Sequence, residues 1–196
     1  MNNYIRIKNL TKKYEKNKSI KVLNDITFNF ESGKTYSIMG PSGSGKSTLL
    51  NLLSLIDNPT AGSIEISNNK IKSNNKVKND LIRAKKIGII YQDKNLLSDF
   101  TALENVYLPN LLVSKEKQKS IELAKKLLKN VGMSSRINHF PNELSGGENQ
   151  RIAIARALIN NPDIILADEP TGSLDSDNAK LIFKILFNFK NKNRII

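Results

Sequence analysis

Two glycine-rich stretches and one pair of carboxylates are the residues here that could do chemistry. Gly40-Pro41-Ser42-Gly43-Ser44-Gly45-Lys46-Ser47 fits the pattern G-x-x-x-x-G-K-[ST], and Thr48 follows it. Glycines let backbone N–H groups curl around phosphate oxygens, and a helix opening behind them adds the positive end of its dipole. In such a loop Lys46 is placed to reach β- and γ-phosphates, and the Ser47 hydroxyl to sit on Mg²⁺. The plain alternative is a glycine-rich turn capped by Lys and Ser. The motif stands between an expected strand and an expected helix, which is the context it requires. Asp168 ends the apolar run IILAD, and Glu169 follows it. A parallel strand would deliver the Asp168 carboxylate to the carboxyl edge of a sheet, beside a phosphate loop, where it would help hold Mg²⁺. Glu169 could then polarise a water for in-line attack. The competing reading is that both carboxylates cap the next turn. The second stretch, LSGGENQ (Leu144 to Gln150), puts Ser145, Gly146 and Gly147 at the mouth of a helix. No nucleophile, general acid or metal cluster accompanies it.

Strands and helices must position these groups. YIRIKNL (Tyr4 to Leu10), DITFNF (Asp25 to Phe30) and TYSIM (Thr35 to Met39) alternate as strands do, with turn-like segments at TKKYEKNK and ESGK. LLNLLSLI has helical spacing, and SIEIS (Ser63 to Ser67) and IGIIYQ (Ile87 to Gln92) read as further strands. TALENVYL and SKEKQKSIELAKKLLKNVG read as two helices, the second closed by Gly132. ENQRIAIARALIN is a helix stopped by Asn161-Pro162, and DIILADEP is a continuous apolar run of the kind a buried parallel strand shows. SDNAKLIFKILFNFK is a last amphipathic helix, and NRII begins one more strand. Strands alternating with helices predict an α/β fold with a parallel sheet. No repeat or hinge linker interrupts the chain, so one domain over 1–196 with a subdomain is expected.

Composition excludes more than it selects. The 196 residues hold no cysteine, which removes disulfides and thiolate metal sites and is compatible with a reducing compartment. The first residues lack the apolar core of a signal peptide, and no run approaches the roughly 18–20 apolar residues of a membrane span. A net charge of +13 is compatible with nucleic acid or an anionic membrane. Its lysines are dispersed among Asn and Ile, and only SNNKIKSNNKVKND (Ser67 to Asp80) and the tail KNKNR concentrate them. Both read as solvated loops, so no specific nucleic acid is expected, and loose attraction to lipid headgroups is the better fit.

Taken together, these residues resemble the ATP-binding cassette (ABC) ATPases, over the whole chain. LSGGENQ is similar to that family's signature sequence, with Asn149 where Gln or Arg is commoner; Gln92 matches its glutamine loop, SLDS with Asp175 its D-loop, and Tyr14 the aromatic that stacks on adenine. The resemblance implies a P-loop NTPase parallel-sheet core, an N-terminal antiparallel β subdomain and a helical signature subdomain at about 95–155. It also implies ATP and Mg²⁺ as cofactors, with Gln92 joining Ser47 and Asp168 around the metal and Glu169, Lys46 and Gln92 serving catalysis. Two cassettes would pair head to tail, a homodimer, with Ser145, Gly146 and Gly147 of one covering the γ-phosphate held by the other. Glycine there would leave room for the phosphate.

The segment GIIYQDKNLLSDFTALENVYLP and the run LADEPTGSLD resemble the lipoprotein-releasing branch, with the macrolide-export branch close behind. That implies an ATPase subunit peripheral on the cytoplasmic face of the bacterial inner membrane, driving separate transmembrane subunits docked near Gln92 and LLSDFTALENV. A soluble or binding-only cassette not coupled to transport is the alternative. The family's switch histidine, on a strand after the last helix, has no counterpart: the only histidine, His139, precedes the signature and is read as an ordinary surface residue. The expectation is a C-terminally truncated cassette, which puts turnover in question but not ATP binding.

Overall fold

The computed structural model describes residues 3–16 and 18–196. Its contacts divide it into two compact units, Met1–Arg83 with Asn191–Ile196, and Ala84–Lys190.

The first unit is built on an antiparallel sheet. β1 (Asn3–Lys16), β2 (Lys18–Glu31), β3 (Ala61–Ile66) and β4 (Asn69–Lys70) lie in the order β2-β1-β3-β4. Along β1, Ile5 and Ile7 are buried while Arg6 and Lys8 face out, the period of two that a half-buried strand dictates. Both long strands outrun their sequence-based limits. TKKYEK, expected as a turn, is strand, and Asn17 at the tip of that expected turn lies outside the described residues. The reason is a bulge. Asn9 and Asp25 take φ of +50° and +53°, the Asn9 amide donates to the Asp25 carboxylate at 2.7 Å, and the register shifts before pairing resumes at Lys13↔Lys21. Turn-forming residues therefore interrupt a strand pattern without ending the strand.

Ser67 and Asn68, at φ +50° and +61°, make the two-residue turn from β3 to β4. The lysine-rich segment expected as loop is thus partly strand. Its second half opens α2 (Lys76–Lys86), because the Asn75 side chain accepts the Lys78 N–H at 3.2 Å and caps the first turn. α1 (Lys46–Leu53) buries Leu49, Leu52 and Leu53.

Thr35–Met39 is not a strand, contrary to its alternation. A strand exists through its ladder. Among the described residues this segment's backbone is paired only at the tail, where the Tyr36 N–H donates to the Ile196 carbonyl (2.9 Å) and the Ile196 N–H to the Lys34 carbonyl (3.2 Å). That is one parallel bridge, and Met39 remains 88% exposed. The tail itself is not a solvated loop throughout: Arg194 and Ile195 are buried.

The second unit holds a parallel pair, β5 (Ile87–Ile90) and β6 (Ile164–Ala167), in register from Ile87↔Ile164 to Ile90↔Ala167. The Asp168 N–H donates to the Ile90 carbonyl at 2.9 Å, carrying the ladder to the carboxyl end of β6. α3 (Ala102–Ser114), α4 (Lys117–Asn130) and α5 (Gly146–Leu158) pack together around Val106, Ala124, Leu128, Ile152 and Ile154, all fully buried. α5 presses on β5 where Gly88 has no side chain, since the Ala157 carbonyl oxygen occupies the place of a Cβ.

α6 (Ser176–Asn188) follows β6 and buries Ile182, Ile185 and Leu186. α3 runs through Pro109 rather than stopping before it. SKEKQ is not all one helix, because Lys115 turns left-handed (φ +60°) and ends α3 before α4 begins. α4 closes as expected at Gly132. There the Gly132 N–H reaches the Lys129 carbonyl and the Met133 N–H the Leu128 carbonyl, with Met133 and Leu128 buried together.

Candidate functional site

In the first unit, β2 and α1 shape the loop Gly40–Gly45. Gly45 precedes α1 at φ +92°, and a Cβ on it would lie 2.8 Å from the Leu23 side chain and 3.1 Å from the Val22 carbonyl. Only glycine fits both the dihedral and the space. No side chain caps α1. Leu49 is the first residue whose N–H finds a helix carbonyl, that of Gly45 at 2.9 Å, so the N–H groups of Lys46, Ser47 and Thr48 remain for a ligand. The Lys46 ammonium folds back over the loop, donating to the carbonyls of Gly40 and Pro41, each at 2.9 Å. Ser42, Gly43, Ser44 and Ser47 are exposed. The result is a set of free N–H donors at a helix N-terminus with a cation folded over the loop, a cradle for an anion.

Tyr14 borders the same helix. Its hydroxyl donates to Asp57 at 2.9 Å, and Lys12 lies 4.8 Å from its ring centroid while donating to the same carboxylate at 2.7 Å. Burial raises the Tyr14 phenol above its usual value, helped by Asp57, while a hydrogen bond with the Thr48 side chain opposes this. Burial alone would push Asp57 up. Hydrogen bonds from Lys12, the Asn58 N–H and Tyr14 outweigh it and hold the carboxyl low. The Tyr14 ring is thereby pinned by its hydroxyl and by Lys12, with 40% of the residue exposed.

In the second unit, β5 and β6 end side by side and deliver Gln92, Asp168 and Glu169. The missing Cβ of Gly172 is a gauge of their convergence, lying 3.2 Å from a Glu169 carboxylate oxygen and 3.5 Å from the Gln92 amide nitrogen. Glu169 takes φ +44°, a strained conformation for a residue with a side chain. Among the described residues no three His, Asp or Glu side chains gather into a cage.

The signature residues open α5. Ser145 accepts the Glu148 N–H at 3.2 Å, and the Glu148 carboxylate accepts the Ser145 N–H at 2.9 Å, a reciprocal cap. The Ser145 backbone and hydroxyl, then Arg136, hold the Glu148 carboxyl below its ordinary value. The two glycines differ. A Cβ on Gly147 would sit 2.7 Å from Asn178 Oδ1, so packing explains that glycine. A Cβ on Gly146 would meet nothing closer than Leu174 at 3.9 Å, so among the described residues no contact requires a glycine there. Asp175 caps α6, accepting from the N–H groups of Asp177 and Asn178 and from the Asn178 amide at 2.6 Å. The Asn178 bonds hold the Asp175 carboxyl low.

Tyr14, Gly40–Thr48 and their partners thus gather in the first unit. Gln92, Asp168, Glu169, Ser145–Gly147 and Asp175 belong to the second. Sequence reasoning missed Lys12 and Asp57, which hold Tyr14, and Asn178, which joins Asp175 to Gly147. The spacing Asp175-x-x-Asn178 at a helix start was a readable cue for the last.

The ABC transporter family profile matches residues 23–172. Over 185 residues the chain is 46% identical to the lipoprotein-releasing system ATP-binding protein LolD of Rickettsia bellii, covering 94% of this chain and 81% of that protein. The LolD of Wigglesworthia glossinidia brevipalpis is 49% identical over 189 residues, with coverage of 95% and 82%. Among solved structures, a dimeric bacterial ABC transporter cassette superposes with a TM-score of 0.89 at 42% identity, over 97% of this chain and 86% of that one. A dimeric post-hydrolysis state of that cassette, bound to ADP and phosphate, gives 0.90 at 40% identity, over 97% and 85%.

Proposed function

Since the chain belongs to the ABC transporter family of ATPases, we propose that it is the ATP-hydrolysing subunit of a lipoprotein-releasing system, working as a pair of identical cassettes on separate membrane subunits. The observation that carries the branch is the identity of 46–49% to lipoprotein-releasing ATP-binding proteins over 94–95% of the chain. Among the described residues no helix is long and apolar enough to cross a membrane, which fits a peripheral subunit at the cytoplasmic face of the inner membrane.

ATP is the nucleotide, and Tyr14 offers its open ring face to the base. The N–H groups of Lys46, Ser47 and Thr48 receive phosphate oxygens, and the Lys46 ammonium exchanges the Gly40 and Pro41 carbonyls for the β- and γ-phosphates. Ser47, Gln92 and Asp168 would hold Mg²⁺, which would supply charge neutralisation at the phosphoryl group. Glu169 orients the attacking water and takes its proton, so that the γ-phosphate leaves ADP by in-line displacement. Ser145 and Gly146 serve the other active site, facing the γ-phosphate of the partner cassette. The bare Gly146, which no contact among the described residues requires, supports that role. Asp175 lies at the same pairing face.

Two measurements test the reading. With ATP and Mg²⁺, Glu169→Gln should run as a stable dimer on gel filtration; a monomer there would overturn the assignment of Glu169 or the pairing. In liposomes with its membrane subunits, ATP turnover should rise with a lipid-anchored protein and not with a macrolide. The reverse would move the chain to the export branch.

A further inference from the structure

Arg156 lies in the last turn of α5, and among the described residues no carboxylate comes within ion-pair distance of it. Burial lowers its pKa, yet a guanidinium stays charged. Removing such a group from water is costly unless its donors are used. Two of its five N–H donors are used on main chain. Nη1 donates to the Asn95 carbonyl and Nη2 to the Lys94 carbonyl, each at 2.6 Å. The two residues it grips are consecutive, carry side chains, and both take left-handed φ values, +59° and +47°. Left-handed backbone is disfavoured for residues with a Cβ, more for Lys94 than for Asn95, so an external hold helps the loop keep this shape.

That loop begins two residues after Gln92. A second side-chain tether is the Lys94 ammonium, which donates to the Ser173 hydroxyl at 2.7 Å; within the loop the Lys94 N–H reaches the Tyr91 carbonyl at 3.3 Å and the Asn95 N–H the Asp93 carbonyl at 2.6 Å, and Leu97 is held by the Asn105 side chain. Ser173 adjoins Gly172, the point on which Gln92 and Glu169 converge. The base of the clamp is rigid, because α5 is seated on β5 through the Gly88–Ala157 contact one residue from Arg156.

We propose that Arg156 is a positioning residue for ATP hydrolysis. By holding the Lys94 and Asn95 carbonyls it fixes where Gln92 sits, and through the Lys94–Ser173 bond how far Gln92 stands from Glu169. The proposal rests on the roles given above to Gln92 and Glu169. Released, the two left-handed residues would relax toward ordinary backbone conformations and carry Gln92 away from Glu169. A shift of about 1 Å at a reacting site can cost on the order of 100-fold in rate.

The test uses the full chain with Arg156→Lys and Lys94→Met. A single ammonium lacks the planar fork that serves both carbonyls, and Lys94→Met removes only the tether to Ser173. Arg156→Lys should lower kcat for ATP by about 10- to 100-fold while KM stays within about twofold, and amide hydrogen exchange over Gln92–Leu97 should accelerate. Lys94→Met should lower kcat in the same selective way with an unchanged Tm. The proposal is overturned if both variants keep wild-type kcat, if KM rises in step with the loss of kcat, or if the Gln92–Leu97 amides stay protected in Arg156→Lys. Should Arg156→Lys fail to fold, Lys94→Met decides alone. Glu169→Gln keeps the two levels apart: if that variant hydrolyses ATP at the wild-type rate, the assigned roles fail, and the exchange measurement still settles whether Arg156 holds the loop.

Discussion

Alanine at position 146 should make this protein more stable and less active. A Cβ there points at open space, with Leu174 at an ordinary 3.9 Å. Exchanging a helical glycine for alanine is worth roughly 0.5–1 kcal/mol through the lower entropy of the unfolded chain, and position 146 is in the first turn, where the lower end applies. At about 2–4 °C per kcal/mol for a chain of this size, the nucleotide-free protein should melt about 1–2 °C higher. Alanine at 147 should do the opposite. Its methyl would meet Asn178 Oδ1 at 2.7 Å and Cγ at 3.0 Å, and the Asn178 amide is already held by Asp175 at 2.6 Å. Overpacking of this kind costs about 1–3 kcal/mol. Three measurements on Gly146→Ala separate the effects: thermal unfolding without nucleotide, ATP affinity of the dilute monomer, and ATP turnover. Stability should rise, monomer affinity should hold, and turnover should fall at least about tenfold, a barrier of about 1.4 kcal/mol. A Gly146→Ala protein that turns over ATP normally would refute the close approach of a partner's phosphate. One that melts lower would refute the reading of the space around Gly146.

Lys46→Ala should reduce ATP affinity of the monomer by at least about tenfold, since a charge-assisted bond to phosphate is worth on the order of 1.5–3 kcal/mol; equilibrium dialysis reads it, and unchanged affinity would remove Lys46 from the site. Ser145→Ala should cost about 1 kcal/mol of stability by removing the cap of α5, which denaturant titration measures. Glu148 supplies the pH dependence: its carboxyl is held below the ordinary value of 4.5, so the stability it lends is complete above that value and is lost as pH falls through the lower folded one. Thermal unfolding from pH 6 down to pH 3 should therefore show a gentler acid-side decline in Glu148→Gln, and an identical slope would dismiss the Ser145–Glu148 cap as a contributor.

Much of the architecture was readable because single residues announced it. Gly132 closed α4 as its position after an apolar period demanded, and IILA formed a strand buried as its unbroken hydrophobicity required. The phosphate loop was readable because its glycines answer mainly to local constraints: Gly43 and Gly45 to positive φ, Gly40 to the Ser44 side chain within the same loop, and Gly45 also to Leu23 and Val22. What escaped depends on partners distant in sequence. Thr35–Met39 has a strand's alternation, but pairing decides the matter, and alternation says nothing about who pairs. TKKYEK reads as turn-like, yet it is strand, continued past a bulge where Asn9 and Asp25 are stitched across two strands. The settings of Tyr14 and Gln92 were equally hidden: Asp57 lies 43 residues from Tyr14, and Arg156 lies 61 from Asn95. No local pattern connects them.

Asn178 touches two of the sequences by which such a cassette is recognised. Its amide nitrogen is held by Asp175, and its amide oxygen lies where a side chain on Gly147 would have to go. Positions 147, 175 and 178 therefore form one unit of heredity as well as one contact. A larger residue at 147 is admissible only in a lineage that has already shortened 178, and a shortened 178 leaves Asp175 with one fewer partner. Substitutions at the three sites should accordingly enter together or in a fixed order, and the absence of a side chain at 147 is owed to a neighbour on α6.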